Sequence, residues 1–388
     1  MCGIAGFCNF KEDFEENTDY WNFRLEKMRA VLAHRGNDAR GRYLKKHIGL
    51  SHSRLAIRDI LCGDQPMTRT HNGYDYTICY NGEIYNTDEL IPELSENGFV
   101  CSTTSDTEVI LYSYIHWGAD FVSRLNGIFA FAIWDAAKNR LLLYRDRVGV
   151  KPLFYAIRGD SLVFGSEPKA CFAHPAVKPE LAKQGLQELL AIGPAHTSGL
   201  SLFKDLFEVL PGHFMIYSRD GLHDETYWEL TSREHTESYR DTVAHTRFLV
   251  EDAVKRQMVS DVPVCTFLSG GIDSSIVTAI AANYMNTRGK TLNTFSFDFK
   301  DNDRYFKANA FQPERDLPYV NRMLEEYETA HSYLECDENS LFKALFAAVD
   351  AKDMPGMTDV DSSLLYFCSL VSRKNKVALT GECADEIF

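Results

Sequence analysis

Two textures of apolar and polar residues divide the chain. From His47 to about Tyr155, short apolar runs are broken by turn residues, most sharply at Phe129-Ala130-Phe131-Ala132-Ile133-Trp134-Asp135, then Ala-Ala-Lys-Asn, then Arg140-Leu141-Leu142-Leu143-Tyr144-Arg145. Two such runs around a short polar turn predict a β-hairpin. Helices are predicted near Tyr20 to Leu32 and Thr107 to Trp117, so the first half reads as an α+β layered sandwich. After Thr242 the spacing becomes helical at Val250, Val254 and Met258, followed by an apolar run from Val262 to Leu268 and by Ile276, Val277, Ile280 and Tyr284 at helical spacing. A further run at Thr291 to Phe297, helices near Asp316 to Tyr327, Leu341 to Val349 and Ser363 to Arg373, and a last run from Lys376 to Thr380 complete an alternation of strand and helix. That alternation predicts an α/β, doubly wound parallel sheet. Between Pro211 and Thr242 charged and hydroxyl residues dominate, so the expected division is a first domain at 2–210, a linker at 211–241 and a second domain at 242–388.

Composition narrows the partners. At 388 residues the chain exceeds the ~100 to 200 residues of one typical domain. Its 41 basic against 55 acidic residues leave a net charge of −14 spread along the chain, which argues against nucleic acid and anionic membrane and for small-molecule partners. No stretch approaches the ~18 to 20 apolar residues of a membrane span, and Met1-Cys2-Gly3-Ile4-Ala5-Gly6 lacks the positive region of a secretory leader. A cytoplasmic location is expected. Ten cysteines, scattered without a Cys-x-x-Cys pair, predict reduced and mostly buried thiols, not a zinc site or a disulfide framework.

Cys2 differs from the other thiols by position. If Met1 is removed, Cys2 carries thiol and free amine together. A terminal amine titrates near ~7.7 to 8.0, so it can take the thiol proton without a histidine. A lone Met-Cys-Gly start is equally an accident of sequence. Six segments change that reading: Met-Cys-Gly-Ile-Ala-Gly-Phe, His34-Arg35-Gly36-Asn37-Asp38, His52-Ser53-Arg54-Leu55-Ala56-Ile57, Asn81-Gly82-Glu83-Ile84-Tyr85-Asn86, Ser105-Asp106-Thr107-Glu108, and Asp146-Arg147-Val148-Gly149-Val150-Lys151-Pro152-Leu153-Phe154-Tyr155. In this order they resemble the glutaminase domain of glutamine-hydrolysing asparagine synthetases, which are N-terminal-nucleophile amidotransferases.

The resemblance implies that Cys2 attacks the side-chain amide of glutamine, with Arg54, Leu55, Ala56, Ile57, Arg58, Asn81, Gly82, Glu83 and Asp106 forming the glutamine site. The chemistry fits the residue types. Arg54 can hold a carboxylate through two hydrogen bonds, Asp106 can face the substrate amine, and the Asn81 amide with the Gly82 N–H can stabilise the oxyanion. Taken singly, Arg54 or Asp106 reads as a solvated charge and Asn81-Gly82 as an ordinary turn. Asn37 stands where the family usually has Pro, which touches loop geometry and not chemistry.

In the second half the apolar run Val264 to Leu268 leads directly into Ser269-Gly270-Gly271-Ile272-Asp273-Ser274-Ser275 and then into a helical pattern. Strand, glycine turn and helix N-terminus gather bare N–H groups into an anion site, with phosphate the natural occupant. The Gly-Lys-Ser/Thr ending of a Walker loop is absent. The segment resembles instead the Ser-Gly-Gly-x-Asp-Ser loop of enzymes that split ATP into AMP and pyrophosphate, and Leu379-Thr380-Gly381-Glu382-Cys383-Ala384-Asp385-Glu386 resembles the family's Gly-Glu-Gly-Ala/Ser-Asp-Glu segment. The resemblance implies that Phe267, Ser269, Gly270, Gly271, Asp273, Ser274, Ser275, Phe297, Thr380 and Gly381 bind ATP, that Asp273 and Asp385 hold Mg2+, and that Glu382 acts at the acyl-adenylate centre. An acidic helix N-terminus would explain Glu382 and Asp385 equally well. Cys383 replaces the usual middle Gly, which leaves the conformation of the turn open.

The implied activity is synthesis of asparagine from aspartate, ATP and glutamine, with a homodimer compatible with the resemblance. A glutaminase or glutamine-binding protein with an inert or regulatory nucleotide half, or an amide ligase for another adenylated acid, competes with it. Family members continue well past this segment, so the 388 residues are expected to make little asparagine by themselves.

Overall fold

The computed structural model describes residues 1–310, 313–384, 386 and 387. Two compact units divide it, Met1–Ser232 and Arg233–Phe388. The first carries strands β1 (Gly3–Asn9), β2 (Ala39–Lys45), β3 (Ile48–Arg54), β4 (Met67–His71), β5 (Tyr74–Ile84), β6 (Gly127–Asp135), β7 (Arg140–Arg145), β8 (Phe154–Arg158), β9 (Ser161–Gly165), β10 (Phe207–Glu208), β11 (His213–Ser218) and β12 (Gly221–Thr226). Its helices are α1 (Thr18–Ala30), α2 (Thr87–Glu96), α3 (Asp106–Trp117), α4 (Pro168–Phe172) and α5 (Lys183–Ile192). The strands make two six-stranded sheets, ordered β10-β8-β9-β1-β3-β2 and β12-β11-β7-β6-β5-β4.

Side-chain alternation explains how these sheets stack. On β1, Ile4 and Cys8 join a buried cluster with Leu50 of β3, Cys79 of β5, Ala132 and Trp134 of β6 and Leu143 of β7, which is the layer between the sheets. The alternate residues Ala5 and Phe7 pack outward on Trp21, Leu25 and Met28 of α1 and Cys171 of α4. On the other sheet Tyr80, Phe129, Phe131 and Tyr144 face outward onto Val109, Ile110 and Tyr114 of α3. The result is a helix–sheet–sheet–helix sandwich with both faces of each sheet buried, so β1 and β3 are buried at every position. Rings fill it: Phe131, Tyr144 and Phe214 stack at 4.6 and 5.1 Å, each contact worth about 0.5–1.5 kcal/mol beyond its buried area. All four tryptophans, Trp21, Trp117, Trp134 and Trp228, belong to this unit.

The predicted hairpin is β6–β7, with Ala130 opposite Arg145 and Asp135 opposite Arg140. The linker expected at 211–241 is corrected. Residues 213–226 form β11 and β12, and β11 pairs with β7 from Phe214↔Tyr144 to Tyr217↔Leu141, so this stretch completes the second sheet. Its polar texture is that of an edge: Asp224, Glu225 and Thr226 of β12 are exposed.

The second unit holds α6 (Tyr239–Arg256), β13 (Val264–Phe267), α7 (Ile272–Asn286), β14 (Leu292–Phe299), α8 (Asn302–Tyr305), α9 (Leu317–Glu326), β15 (Thr329–Cys336), α10 (Glu338–Lys352), α11 (Thr358–Val371) and β16 (Val377–Leu379). Its sheet, β15-β14-β13-β16, is parallel throughout. Val264 and Leu292 pack under Val254 of α6 and Ala281 of α7, whereas Cys265 and Phe295 pack under Phe367 and Val371 of α11. Helices on both faces make it doubly wound, as the alternation predicts. β15 is an additional strand on a segment without an apolar run.

Candidate active site

Cys2 stands at the start of β1, and its place is fixed by backbone on both sides. Its thiol donates to Leu55 O at 3.6 Å and accepts from Leu55 N at 3.4 Å, while Arg35 Nε donates to Cys2 O at 2.9 Å. Burial pushes the thiol above its ordinary value, against the pull of the Leu55 N–H and of the chain's terminal amine. That amine, which belongs to Met1 here, is itself lowered to about 6, chiefly by burial and with the Arg35 charge adding to it. Burial thus shifts both the thiol and the terminal amine towards their neutral forms.

Cys2, Arg54, Leu55, Ile57, Arg58, Gly82, Glu83 and Asp106 line one narrow cavity of about 30 Å³. Eight of the residues expected from the sequence therefore meet at one point. Asn81 is buried beside them on β5, on the same strand face as Cys79, which belongs to the layer between the sheets. Its Nδ2 has no hydrogen-bond partner among the described residues. A buried amide donor left unpaired costs about 1–3 kcal/mol unless something else accepts from it, and a developing oxyanion is such an acceptor. Gly82 is glycine for a reason of space: an added Cβ would meet Ile128 O at 2.3 Å and Phe129 Cα at 2.7 Å of the neighbouring β6.

The two charges expected at the ends of the substrate are held differently. Asp106 begins α3, and its Oδ2 accepts from the Tyr80 hydroxyl at 2.8 Å and from Ile84 N at 3.0 Å, with Arg58 Nη1 at 4.0 Å. Burial raises its carboxyl despite Arg58, and burial with the charge of Asp106 raises Glu83 to about 8. The two carboxyls share the cavity with two guanidinium groups, Arg54 and Arg58, and burial favours the neutral form of both acids. Arg54, by contrast, gives its donors to the turn beyond it: Nη1 to Ile60 O at 3.1 Å and Asp64 Oδ1 at 3.0 Å, Nη2 to Arg58 O at 3.3 Å and Asp59 O at 2.5 Å. In this state Arg54 builds the wall that presents Arg58. Ala56 lies just behind the cavity, with its N–H on Asp38 Oδ2 at 2.8 Å, and Asn37 is exposed, so the position where the family has Pro does not touch the site.

Sequence reasoning did not assign Gly63, Gln65, Tyr80, Ser105 and Thr107, which complete the cavity wall. Gln65 ties it together, accepting from Tyr80 N at 2.6 Å and donating to Thr107 Oγ1 at 3.3 Å. Only Ser105 and Thr107 carried a signal, as neighbours of Asp106 in a quoted segment.

In the second unit the loop after β13 takes the expected form. Gly270 has φ +86°, and an added Cβ would meet Tyr319 Cβ at 2.7 Å. Ser274 Oγ accepts from Ser269 N at 3.3 Å and donates to Gly271 O at 3.1 Å, folding the loop onto the first turn of α7. Gly271, the N-cap, supplies no side-chain bond, so first-turn N–H groups of α7 have no capping side chain. Gly381 joins the two motifs, for a Cβ there would meet the Asp273 carbonyl carbon and Ser274 N at 2.7 Å. Asp273, Thr380, Gly381 and Glu382 then share the wall of a cavity of about 860 Å³ with apolar residues of α6 and α7. Ser275 donates its N–H to Gly271 O at 3.0 Å within the first turn. Phe267 and Phe297 lie on the other face of the sheet, with ring centroids 4.5 and 5.2 Å from Phe367. Cys383 keeps a left-handed conformation at φ +66°, so the turn survives without glycine. Asp385 lies outside the described residues. Among the described residues no group of three or more His, Cys, Asp or Glu gathers to hold a metal, and no helix is long and apolar enough to cross a membrane.

Comparison with known proteins follows the same division. Residues 1–228 match the family model of the glutamine amidotransferase domain, and residues 245–388 that of asparagine synthase. Over its whole length the chain is 48% identical to asparagine synthetase [glutamine-hydrolyzing] 3 of Bacillus subtilis (strain 168), spanning 63% of that protein. It is 32% identical over its whole length to putative asparagine synthetase [glutamine-hydrolyzing] 2 of Methanocaldococcus jannaschii, spanning 75%. It is also 32% identical to amidase chyE of Penicillium rubens, spanning 59%. The chain thus spans less than two thirds of the first and third of these relatives. With its amidotransferase unit matched from end to end and its second unit matched to the synthase model, the chain belongs to the family of glutamine-hydrolysing asparagine synthetases.

Proposed function

We propose that this protein is an ATP-dependent amide ligase that makes asparagine from aspartate with ammonia taken from glutamine. The observation that carries the reading is the meeting of the Cys2 sulfur, Gly82, Glu83, Arg58 and Asp106 on one cavity. In the proposed reaction Met1 is removed, the Cys2 amine takes the thiol proton, and the sulfur attacks the amide carbon of glutamine. Asn81 Nδ2 and Gly82 N–H receive the oxyanion, ammonia leaves as the amine returns its proton, and water hydrolyses the thioester to glutamate. Glu83 and Asp106 hold the substrate ammonium, Arg58 faces its carboxylate, and Arg54, expected there from the sequence, braces the turn that presents Arg58.

In the second unit the N–H groups of the Ser269–Ser275 loop and of the first turn of α7 bind the phosphates of ATP, Phe267 and Phe297 bound the base site, and Glu382 acts beside the β-aspartyl adenylate that ammonia attacks. Carboxylate oxygens of Asp273 and Glu382 on one wall are hard donors suited to magnesium. Asp273 is its proposed ligand, with Asp385 the second. When bound, magnesium would neutralise phosphate charge. A cytoplasmic, homodimeric enzyme is the accompanying expectation.

A second reading, in which the adenylated acid is not aspartate, is kept because one relative of similar identity, amidase chyE, is not named an asparagine synthetase. Glutamine hydrolysis and aspartate-dependent pyrophosphate release, measured on the same preparation after mass spectrometry of its N-terminus, test both. Pyrophosphate release that requires an acid other than aspartate would favour the second reading. No ammonia from a folded chain with a free Cys2 amine would overturn both.

A further inference from the structure

The segment His34-Arg35-Gly36-Asn37-Asp38 has no role yet beyond the Asp38 bond to Ala56, but its Arg35 is the side chain that holds the Cys2 carbonyl. What holds Arg35 lies 132 residues away in sequence: Glu167 Oε1 accepts from Arg35 Nη1 at 2.7 Å and lies 3.0 Å from His34 Nε2. Lys169 Nζ is 3.1 Å from the second carboxylate oxygen, close enough to balance its charge though not aligned as a hydrogen bond. Both Arg35 and Glu167 are buried, at 8% exposure each, so the guanidinium has little water to turn towards and its orientation follows its partner.

Three further details point the same way. Glu167 is the N-cap residue of α4, yet makes no side-chain cap bond, since its carboxylate is turned away from its own helix to Arg35. The preceding residue grips the same strand: Ile4 N donates to Ser166 Oγ at 3.0 Å and Ser166 N donates to Ile4 O at 2.9 Å. Burial works against ionisation of Glu167, but the His34 hydrogen bond and the Arg35 charge outweigh it and hold the carboxyl down at about 2. The carboxylate is therefore charged at any pH at which the protein works.

We infer that Glu167 is a positioning residue for the nucleophile: it fixes the Arg35 guanidinium, which fixes the Cys2 backbone, so that thiol and amine stand in the attacking geometry. The inference rests on the proposed role of Cys2 in glutamine hydrolysis. Among the described residues the hydrogen bonds and ion pairs of the Glu167 carboxylate go to Arg35, His34 and Lys169 and not to the cavity wall, so its loss should leave glutamine affinity alone and slow the chemistry. An ion pair that only braces the fold would change thermal stability and move neither quantity selectively.

The test compares the parent chain with Glu167→Gln, Glu167→Asp, Arg35→Ala and Cys2→Ala, measuring kcat and KM for glutamine hydrolysis and the rate at which iodoacetamide alkylates Cys2. Glu167→Gln should lower kcat by roughly 10- to 100-fold, the range for removing a group that orients a reacting one, with KM within about twofold and alkylation slowed in parallel. Guanidinium at a non-denaturing concentration should restore part of the activity of Arg35→Ala, and should restore none in Arg35→Ala/Glu167→Ala, where nothing anchors the added ion. If Glu167→Gln fails to fold, Glu167→Asp, which keeps the charge but shortens the reach, must show the same kcat loss at constant KM. A parent-like kcat in the folded Gln or Asp variant, or a rise in KM at constant kcat, overturns the inference. Equal rates in the parent chain and Cys2→Ala would instead remove the glutaminase reading on which it rests.

Discussion

The cavity beside Cys2 and the Ser269–Ser275 loop both sit where a strand ends, yet they are built in opposite ways. The first is about 30 Å³ and walled by side chains whose polar atoms are already engaged: Arg54 on the 58–64 turn, Asp106 on Tyr80 and Ile84, Gln65 on Tyr80 and Thr107. The second opens beside a cavity of about 860 Å³ and is made of backbone, with glycines at 270, 271 and 381 and a helix start without a side-chain cap. Side-chain networks fix direction before the substrate comes, as an oxyanion site requires. Backbone N–H groups at a helix start need only an anion of about the right size. The narrow cavity holds only about two or three water centres, far fewer than the space beside the loop.

The comparison can be broken most decisively at Cys2. Cys2→Ala should lower glutamine hydrolysis by on the order of 10⁴-fold or more and leave ATP binding measured by calorimetry unchanged. A parallel loss of both would show that the two units are not independent. Asn81→Ala should reduce kcat by roughly 100- to 1,000-fold at nearly constant KM, and a loss confined to KM would place Asn81 in recognition instead.

Smaller effects sharpen the contrast. Gly381→Ala pushes a methyl into Asp273 and Ser274, so nucleotide affinity should fall by roughly 10- to 100-fold with glutaminase activity intact. The pH dependence belongs to the first unit. With Glu83 raised to about 8, a proton occupies the carboxyl at lower pH and must leave before it can meet the substrate ammonium. The KM for glutamine should therefore fall as pH rises from 6 to 8, by at most about tenfold per unit, and Glu83→Gln should flatten that profile. A KM that climbs over this window would mean the carboxyl binds in its neutral form. Least of all, Cys383→Gly should stabilise the second unit by about 0.5 to 1 kcal/mol, because a left-handed φ strains a residue with a Cβ; an unchanged melting temperature would show that the turn relaxes freely.

Periodicity made much of the fold legible. The hairpin at 127–145, α1, α3 and the β13–α7–β14 unit fall where the apolar spacing puts them. β15 was hidden because Thr329-Ala330-His331-Ser332 has no apolar run, and its strand state comes from parallel pairing with β14 from Leu292↔Thr329 to Phe299↔Cys336. β1 was hidden by Gly3 and Gly6, which suggest a turn but are there for space: a Cβ on Gly6 would meet Gly49 O at 2.4 Å and the Phe164 ring at 2.7 Å. At the site, residue type announced a cation at 54, an anion at 106 and an amide at 81. It did not announce that the 58–60 carbonyls double back onto Arg54, or that Gln65 and Tyr80 close the wall, since those meetings depend on a turn with no period of its own. Glu167 was illegible for the same reason, being 132 residues from the arginine it orients.

The confinement of all four indoles to Met1–Ser232 gives each unit its own optical signature. Trp21 and Trp134 are buried, at 8% and 5% exposure, so their emission should be blue-shifted while the sandwich is folded and move to the red as it opens. Residues 233–388 contribute no tryptophan emission, yet their helices contribute to the far-ultraviolet dichroism. Indole emission and dichroism recorded on one denaturant titration therefore resolve two melting steps from a single unlabelled sample, and coincident curves would mean that the halves unfold as one cooperative body.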